Sequence, residues 1–219
     1  MTAAERTTLA LMASCGFCWA APGTACARQG QHLARYLRAG GVTGTRPGSY
    51  PRPQAFEEAV RQSALDWTIL RAGGFDSNTL AWAPVVRSQR MVFAPFGDVA
   101  LPFIDPADIG EAAAVALRDG GHAERVYVLT GPEPVSPREQ ARAIGEALGE
   151  AVGFTELSRE QAREQMVRFM PEQVADVTLS IYGEPLAEEQ LVSPDVERLL
   201  GRPGRTYAQW ARRNADAFR

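Results

Sequence analysis

The sequence predicts an α/β fold with a mostly parallel sheet and flanking helices. From about residue 54 onward, short apolar segments rich in β-branched and aromatic residues alternate with longer segments of helical periodicity. The connections between them are short, which is typical of parallel strands joined by helices. The chain has 219 residues, enough for one domain with a sizeable core.

The individual elements follow from local patterns. Strands are predicted over 65–71, 91–94, 99–104, 126–130 and 154–157. Helices are predicted over 54–64, from Asp105 to about Arg118, from Ser136 to Leu148, and after Ser158, Pro171 and Thr206. Pro106 and Pro137 suit the first turn of a helix, and Ser136 with Glu139 forms a capping-box pattern. Three prolines and four glycines over 40–53 predict a connecting loop.

Composition and charge exclude several classes of function. The net charge is -3 and the arginines are scattered among glutamates, so no nucleic-acid contact is expected. No apolar run is long enough to span a membrane. Cys15, Cys18 and Cys26 form neither a disulfide framework nor a metal site. An export signal within 7–27 is an alternative, but the glycines and proline that interrupt this run favour a cytoplasmic protein.

Four segments, in a fixed order, carry a family resemblance. They are 63–78 (SALDWTILRAGGFDSN), 103–113 (FIDPADIGEAA), 127–133 (YVLTGPE) and 192–203 (VSPDVERLLGRP). Together they resemble NmrA-like proteins, which are atypical short-chain dehydrogenase/reductases with an NAD(P)-binding Rossmann fold. The resemblance covers most of 54–219, and it implies a small C-terminal helical region on the substrate side.

The resemblance also implies a cofactor site at the loop after the strand 65–71. The expected cofactor is NAD(P)H, with NADPH preferred, and the loop would lie against its nicotinamide end. The residues so implied are Ala72, Gly73, Gly74, Phe75 and Asn78. Two glycines let the backbone approach a flat ring that Phe75 could cover. The alternative is a strand-to-loop turn in which Phe75 is packed in the core.

The N-terminal half departs from the family pattern. The family begins with a strand and a glycine fingerprint, and the nearest segment here retains only Gly30 in a suitable place before a short helix over 31–39. The family's second to fourth strands have no evident counterpart. Residues 1–53 are therefore interpreted as a divergent segment, either an unrelated start or a decayed first βα unit. Weaker dinucleotide binding is expected, and exposed sheet edges would favour a homodimer or marginal stability.

Candidate catalytic residues are few. Tyr50 and Gln54 have the spacing of a Tyr-x-x-x-Lys pair, but Gln cannot supply the charge that lowers the pKa of the tyrosine. Tyr50 is therefore a weak catalytic candidate, and the alternative is that it is an exposed tyrosine in a loop. Asp105 and Asp108 suit the start of a helix better than acid–base chemistry. An apolar substrate pocket is predicted, lined by Trp82, Met166, Phe169, Met170 and Tyr182. The alternative is that these side chains pack in the core.

Three functions are compatible with these patterns. The first is an NAD(P)H-dependent NmrA-like oxidoreductase acting on a small aromatic or carbonyl compound. The second is a non-catalytic NAD(P)-sensing regulator of the same fold. The third is a chain without the cofactor, which binds a small molecule or performs non-redox chemistry such as isomerisation or cyclisation.

Overall fold

A computed structural model describes residues 9–11 and 52–219 of the chain. The strands in these ranges are β1 (Leu9–Leu11), β2 (Trp67–Ala72), β3 (Met91–Pro95), β4 (Arg125–Leu129) and β5 (Gly153–Leu157). The α-helices are α1 (Arg52–Arg61), α2 (Ala83–Gln89), α3 (Pro106–Arg118), α4 (Pro137–Leu148), α5 (Arg159–Met166), α6 (Glu172–Gly183), α7 (Asp195–Leu200) and α8 (Tyr207–Arg213). Short 3-10 helices span Asp76–Trp82, Ala187–Glu189 and Ala215–Phe218.

The strands pair in parallel and form two small sheets. One has the order β1-β2-β4, and the other consists of β3 and β5. In the first sheet Leu70 lies opposite Tyr127, and in the second Val92 lies opposite Phe154. The predicted α/β class with parallel strands and flanking helices is confirmed.

The strand β1 is a correction to the sequence prediction. It pairs with β2 on the side away from β4, with Leu9 opposite Trp67. In the Rossmann order 3-2-1-4-5-6, strands that follow one another in the chain lie side by side within each half of the sheet. β1 occupies such a place beside β2, where no strand was predicted from the sequence. Three residues are too few for a periodic pattern, which is why this strand could not be predicted.

The predicted strand over 99–104 does not form. Leu101 and Ile104 make only isolated bridges, to Val135 and Phe75 respectively. Pro102 between them has no N–H to donate, and the backbone turns tightly there, with the Phe103 N–H donating to the Leu101 carbonyl at 2.9 Å. The segment instead runs across the loops that follow β2 and β4.

The helix starts follow the predicted capping chemistry. At α4 the Ser136 N–H donates to Glu139 Oε2 at 2.8 Å, and the Glu139 N–H donates to Ser136 Oγ at 3.4 Å. The same reciprocal pattern opens α5 at Ser158 and α8 at Thr206. These contacts satisfy N–H groups that have no partner inside a helix.

Two clusters of buried residues form the core. The first lies around β2, β4 and α3 and includes Leu70, Ile109 and Leu129. The second joins β3, α4 and α8 to the chain's last residues, through Trp210 and Phe218. Because the second cluster holds α8 and the last 3-10 helix, it brings α8 next to the loop that follows β2.

Candidate functional site

The loop after β2 lies at the carboxyl edge of the parallel sheet. β2 and β4 both end there, and the Gly73 N–H donates to the Leu129 carbonyl at 2.9 Å. In open α/β sheets, ligands bind outside the carboxyl ends of the strands. The predicted loop from Ala72 to Asn78 therefore lies where this architecture places a binding site.

The segment 101–104 fills the space beside that loop. The Ile104 N–H donates to the Gly74 carbonyl at 2.8 Å, and the Asp76 N–H donates to the Ile104 carbonyl at 3.0 Å. On the other side, the Gly131 N–H donates to the Pro102 carbonyl at 3.2 Å. These bonds hold the segment between the loops that follow β2 and β4.

The two glycines of the loop have an internal role. A Cβ atom on Gly74 would lie 2.5 Å from two ring atoms of Phe103, and one on Gly73 would lie 3.4 Å from the Pro102 carbonyl oxygen. Phe103 thus packs directly over the Gly74 backbone. The sequence prediction missed Phe103, because its position depends on the path of a segment that was expected to be a strand.

Replacing Gly74 with Ala is expected to lower the free energy of unfolding by about 1–3 kcal/mol, because the Phe103 ring must move. Denaturant unfolding measures the change. The matched control is Gly110→Ala in α3, where a Cβ would meet nothing within 4 Å. That variant should gain about 1 kcal/mol in an exposed helix. Equal stability of the Gly74 variant and the wild type would contradict the close packing of Phe103 over Gly74.

Phe75 does not face outward from the loop. It is 5% exposed and packs in the first core cluster with Leu70, Ala72 and Ile104. This is the packed strand-to-loop turn that the sequence left as an alternative. Gly73, Gly74 and Asn78 are half-buried and accessible in part at the edge. The partly exposed aromatic ring beside the glycines is Phe103.

Of the predicted pocket residues, Tyr182 lies against the loop. It stands near the end of α6, and the Asn78 side chain of the loop is close enough to affect the pKa of its hydroxyl. Its ring meets the Phe103 ring edge-on, with centroids 6.0 Å apart and planes at 63°. Burial raises the pKa of Tyr182, and the neighbouring Asn78 side chain opposes this in part.

A pocket role for the other four predicted residues stays a prediction. Trp82 packs against the second core cluster. Phe169 is 81% exposed, and Met166 and Met170 are half-buried around the end of α5. No contact found among the described residues brings these four side chains onto the loop after β2. Gly30 and Tyr50 lie outside the described residues.

Asp76 is a buried acid that the sequence prediction missed. It is 0% exposed, and neither carboxylate oxygen has a hydrogen-bond partner among the described residues. Burial, together with the negative charges of Asp105 and Asp108, raises the pKa of Asp76 to about 8, against a smaller opposing effect of Arg213. Asp76 is therefore protonated at neutral pH. Its burial depends on α3 and α8, which the sequence pattern alone does not bring together.

Asp105 and Asp108 have the structural role that their spacing predicts. Asp105 caps α3, accepting from the Ala107 N–H at 2.9 Å, and forms an ion pair with Arg213. Asp108 is 0% exposed and accepts from the Arg205 N–H at 2.6 Å and from Arg202 Nη2 at 2.8 Å. Hydrogen bonds and ion pairs therefore connect the start of α3 to α8 and to the residues that precede α8.

A cavity of about 520 Å³ lies where the loop, α3 and α8 meet. Its walls include Ser77 of the loop, Asp105 and Arg213. Further lining residues are Leu80, Pro106, Ala107, Trp210 and Asn214. The described residues contain no group of three or more His, Cys, Asp or Glu that could hold a metal ion. None of the helices in the described ranges is long and apolar enough to cross a membrane.

The parallel sheet and the loop site at its carboxyl edge define a Rossmann-type α/β protein. No model of a protein family matches the chain. A (4-alkanoyl-5-oxo-2,5-dihydrofuran-3-yl)methyl phosphate reductase of Streptomyces griseus is 38% identical over 168 residues, which cover 76% of this chain and 60% of that enzyme. The chain thus spans about 60% of the length of this relative.

Solved structures show the same fold. An NADPH-dependent quinone oxidoreductase of Escherichia coli, complexed with NADPH, superposes with a TM-score of 0.66 at 24% identity, over 80% of this chain and 63% of that one. NmrA, a negative transcriptional regulator in complex with NAD, superposes with a TM-score of 0.57 at 22% identity, over 81% of this chain and 62% of that one. In sequence and in fold the chain is similar to NmrA-like atypical short-chain dehydrogenase/reductases, as its sequence resemblance predicts.

Proposed function

We propose that the chain is an NAD(P)H-dependent oxidoreductase that acts on a small aromatic or carbonyl compound. The observation that carries the proposal is the loop from Gly73 to Asn78 at the carboxyl edge of the sheet, with the polar groups of Asn78 and Tyr182 beside half-buried aromatic rings. Small ligand sites combine such apolar walls with a few polar groups. The reductases among its relatives support the same chemistry.

The described residues fit the nicotinamide side of a cofactor site. Gly73, Gly74 and Asn78 leave a partly open edge of backbone and amide groups there, while Phe75 is committed to the core. When bound, the cofactor would supply the hydride, and the chain's residues would position the acceptor and exclude water. The phosphate contacts predicted around Gly30 belong to the part of the chain outside the described residues. NADPH is the expected form.

The experiment is a titration of the full chain with NADPH and with NADH, followed by cofactor fluorescence. Binding is expected, with weaker affinity in Asn78→Ala and unchanged affinity in Ser88→Ala, a control at an exposed position of α2. Consumption of the cofactor is then followed at 340 nm with a quinone and an aromatic ketone as acceptors. Failure to bind either dinucleotide at millimolar concentration would overturn the proposal.

A non-catalytic sensor of the same fold is the second candidate. The observation that favours it is the similarity in fold to NmrA, which is a regulator in complex with NAD. Binding of a dinucleotide that no acceptor consumes would support the sensor. Binding of a small aromatic compound without any dinucleotide affinity would support the third hypothesis, a chain without the cofactor. A homodimer stays a prediction, which the molar mass in solution tests.

A further inference from the structure

The cavity where the loop after β2 meets α3 and α8 combines apolar walls with an accessible cation. Its volume of about 520 Å³ is within the range of small-molecule sites. Two charged side chains line its described walls, and they differ in exposure: Asp105 is 2% exposed and Arg213 is 44% exposed. Apolar surface comes from Leu80, Pro106 and the mostly buried Trp210.

Most of the hydrogen-bonding capacity of Arg213 is unused. Its Nη2 donates to Asp105 Oδ2, and no acceptor among the described residues bonds to its Nε or Nη1. A guanidinium group carries five N–H donors. The arginines that hold the other side of the α3 start are used more fully, since Arg202 and Arg205 each pair with two carboxylates. Arg213 can therefore take a second acidic partner, and it lines a cavity that can hold one.

The negative charges near this cavity are already compensated. Asp105 accepts from the Ala107 N–H at 2.9 Å through Oδ1 and from Arg213 through Oδ2. Asp108 pairs with two other arginines. Asp76, in the adjoining loop, is protonated at neutral pH. A second anion at Arg213 therefore meets no uncompensated carboxylate in the described walls.

The neutral groups of the walls suit a carboxylate with a hydrocarbon body. Arginine binds carboxylates through two parallel N–H groups, which gives both strength and orientation. Ser77 lines the same cavity, and its hydroxyl has no hydrogen bond within the part of the chain that the structure describes, so it can donate to an anionic oxygen. Leu80 and Pro106 offer apolar contacts to the rest of such a ligand.

We propose that this cavity binds a small aliphatic carboxylate, which pairs with Arg213, accepts from the Ser77 hydroxyl and packs its hydrocarbon part against Leu80 and Pro106. The site goes beyond the proposed function. It needs no nicotinamide cofactor, and its ligand is distinguished by a negative charge that Arg213 recognises.

The test compares two probes of nearly equal size on the full chain without cofactor. Cyclohexanecarboxylate carries the negative charge, and cyclohexanecarboxamide is its neutral counterpart. NMR titrations should show that the wild type binds the carboxylate about tenfold more tightly, as charge-assisted hydrogen bonds predict. The Nε–Hε signal of Arg213 should shift with the carboxylate. Equal affinity for the two probes, or no saturable binding of the carboxylate at millimolar concentration, would overturn the proposal.

Variants of Arg213 locate the site. Arg213→Gln should bind the carboxylate about tenfold more weakly and the carboxamide unchanged. Arg213→Lys retains a cation for Asp105, which protects the fold, but it lacks the planar fork and should bind the carboxylate about fivefold more weakly. The control Arg212→Gln removes an exposed arginine at the preceding position of α8 and should bind both probes as the wild type does. Unchanged carboxylate affinity in Arg213→Lys, or an equal loss in Arg212→Gln and Arg213→Gln, would overturn the proposal.

Discussion

Replacing Asp76 with Asn is expected to stabilise the protein at pH 8 and to leave its stability at pH 4 nearly unchanged. The carboxyl group is fully buried without a partner, and its pKa is raised to about 8, whereas in the unfolded chain it is about 4. Between these values the folded state holds a proton that the unfolded state releases. The free energy of unfolding of the wild type therefore falls as the pH rises through this window, by at most about 1.4 kcal/mol per pH unit, and levels off above pH 8.

The pH dependence of the free energy of unfolding can be assigned to Asp76 only if the charged groups that face it are unaltered. Asp105 and Asp108 raise its pKa and Arg213 opposes them, so all three must be unchanged in the variant. Denaturant unfolding at pH 5, 6.5 and 8 should show the curves of wild type and Asp76→Asn diverging with pH. The control Asp66→Asn removes an exposed carboxylate and should follow the wild type. Parallel curves for wild type and Asp76→Asn would show that the pKa of Asp76 is not raised in the folded protein.

Replacing Asp108 with Asn is expected to lower the free energy of unfolding by about 3 kcal/mol. Its buried carboxylate accepts from the Arg205 backbone and from the guanidinium groups of Arg202 and Arg205. Asn cannot neutralise the two guanidinium groups, which then keep only the partly exposed Glu111 as an acidic partner, and losing one partner of a buried ion pair is costly. Hydrogen exchange should show the amides of α8 exchanging first, because Arg205 lies two residues before that helix.

A matched control is available on the same two arginines. Glu111 pairs with both Arg202 and Arg205, but its side chain is 45% exposed. Glu111→Gln should therefore cost less than about 1 kcal/mol, as exposed ion pairs contribute little. If both variants lost the same stability, burial of Asp108 would not be the reason for its effect.

Local chemistry made most of the fold predictable from the sequence. The caps at Asp105, Ser136, Ser158 and Thr206 are short-range patterns, and each one begins a helix in the structure. The strand 67–72 was evident because it is a run of β-branched and apolar residues. The alternation of such strands with helices predicted a parallel sheet.

The site was only partly predictable, because its decisive contacts join distant parts of the chain. The loop after β2 and Tyr182 were identified, although nothing local indicated that Asn78 and Tyr182 meet. Phe75 and Phe103 both lie in apolar segments, and only the tertiary structure shows which one is packed inward. In the sequence Asp76 resembles an ordinary acidic residue of a loop, and only the packing of α3 and α8 shows that it is buried.

The pairing of the strands restricts how this chain can be divided. β2 pairs with β4 and β3 pairs with β5, so the two sheets alternate along the sequence. Every cut between Ala72 and Gly153 separates at least one strand from its partner. The sheets are therefore not two successive units that could fold one after the other, and both pairings require closure of long loops. Folding is expected to be slow for a chain of this size, and division within this interval would leave fragments whose strands lack their partners.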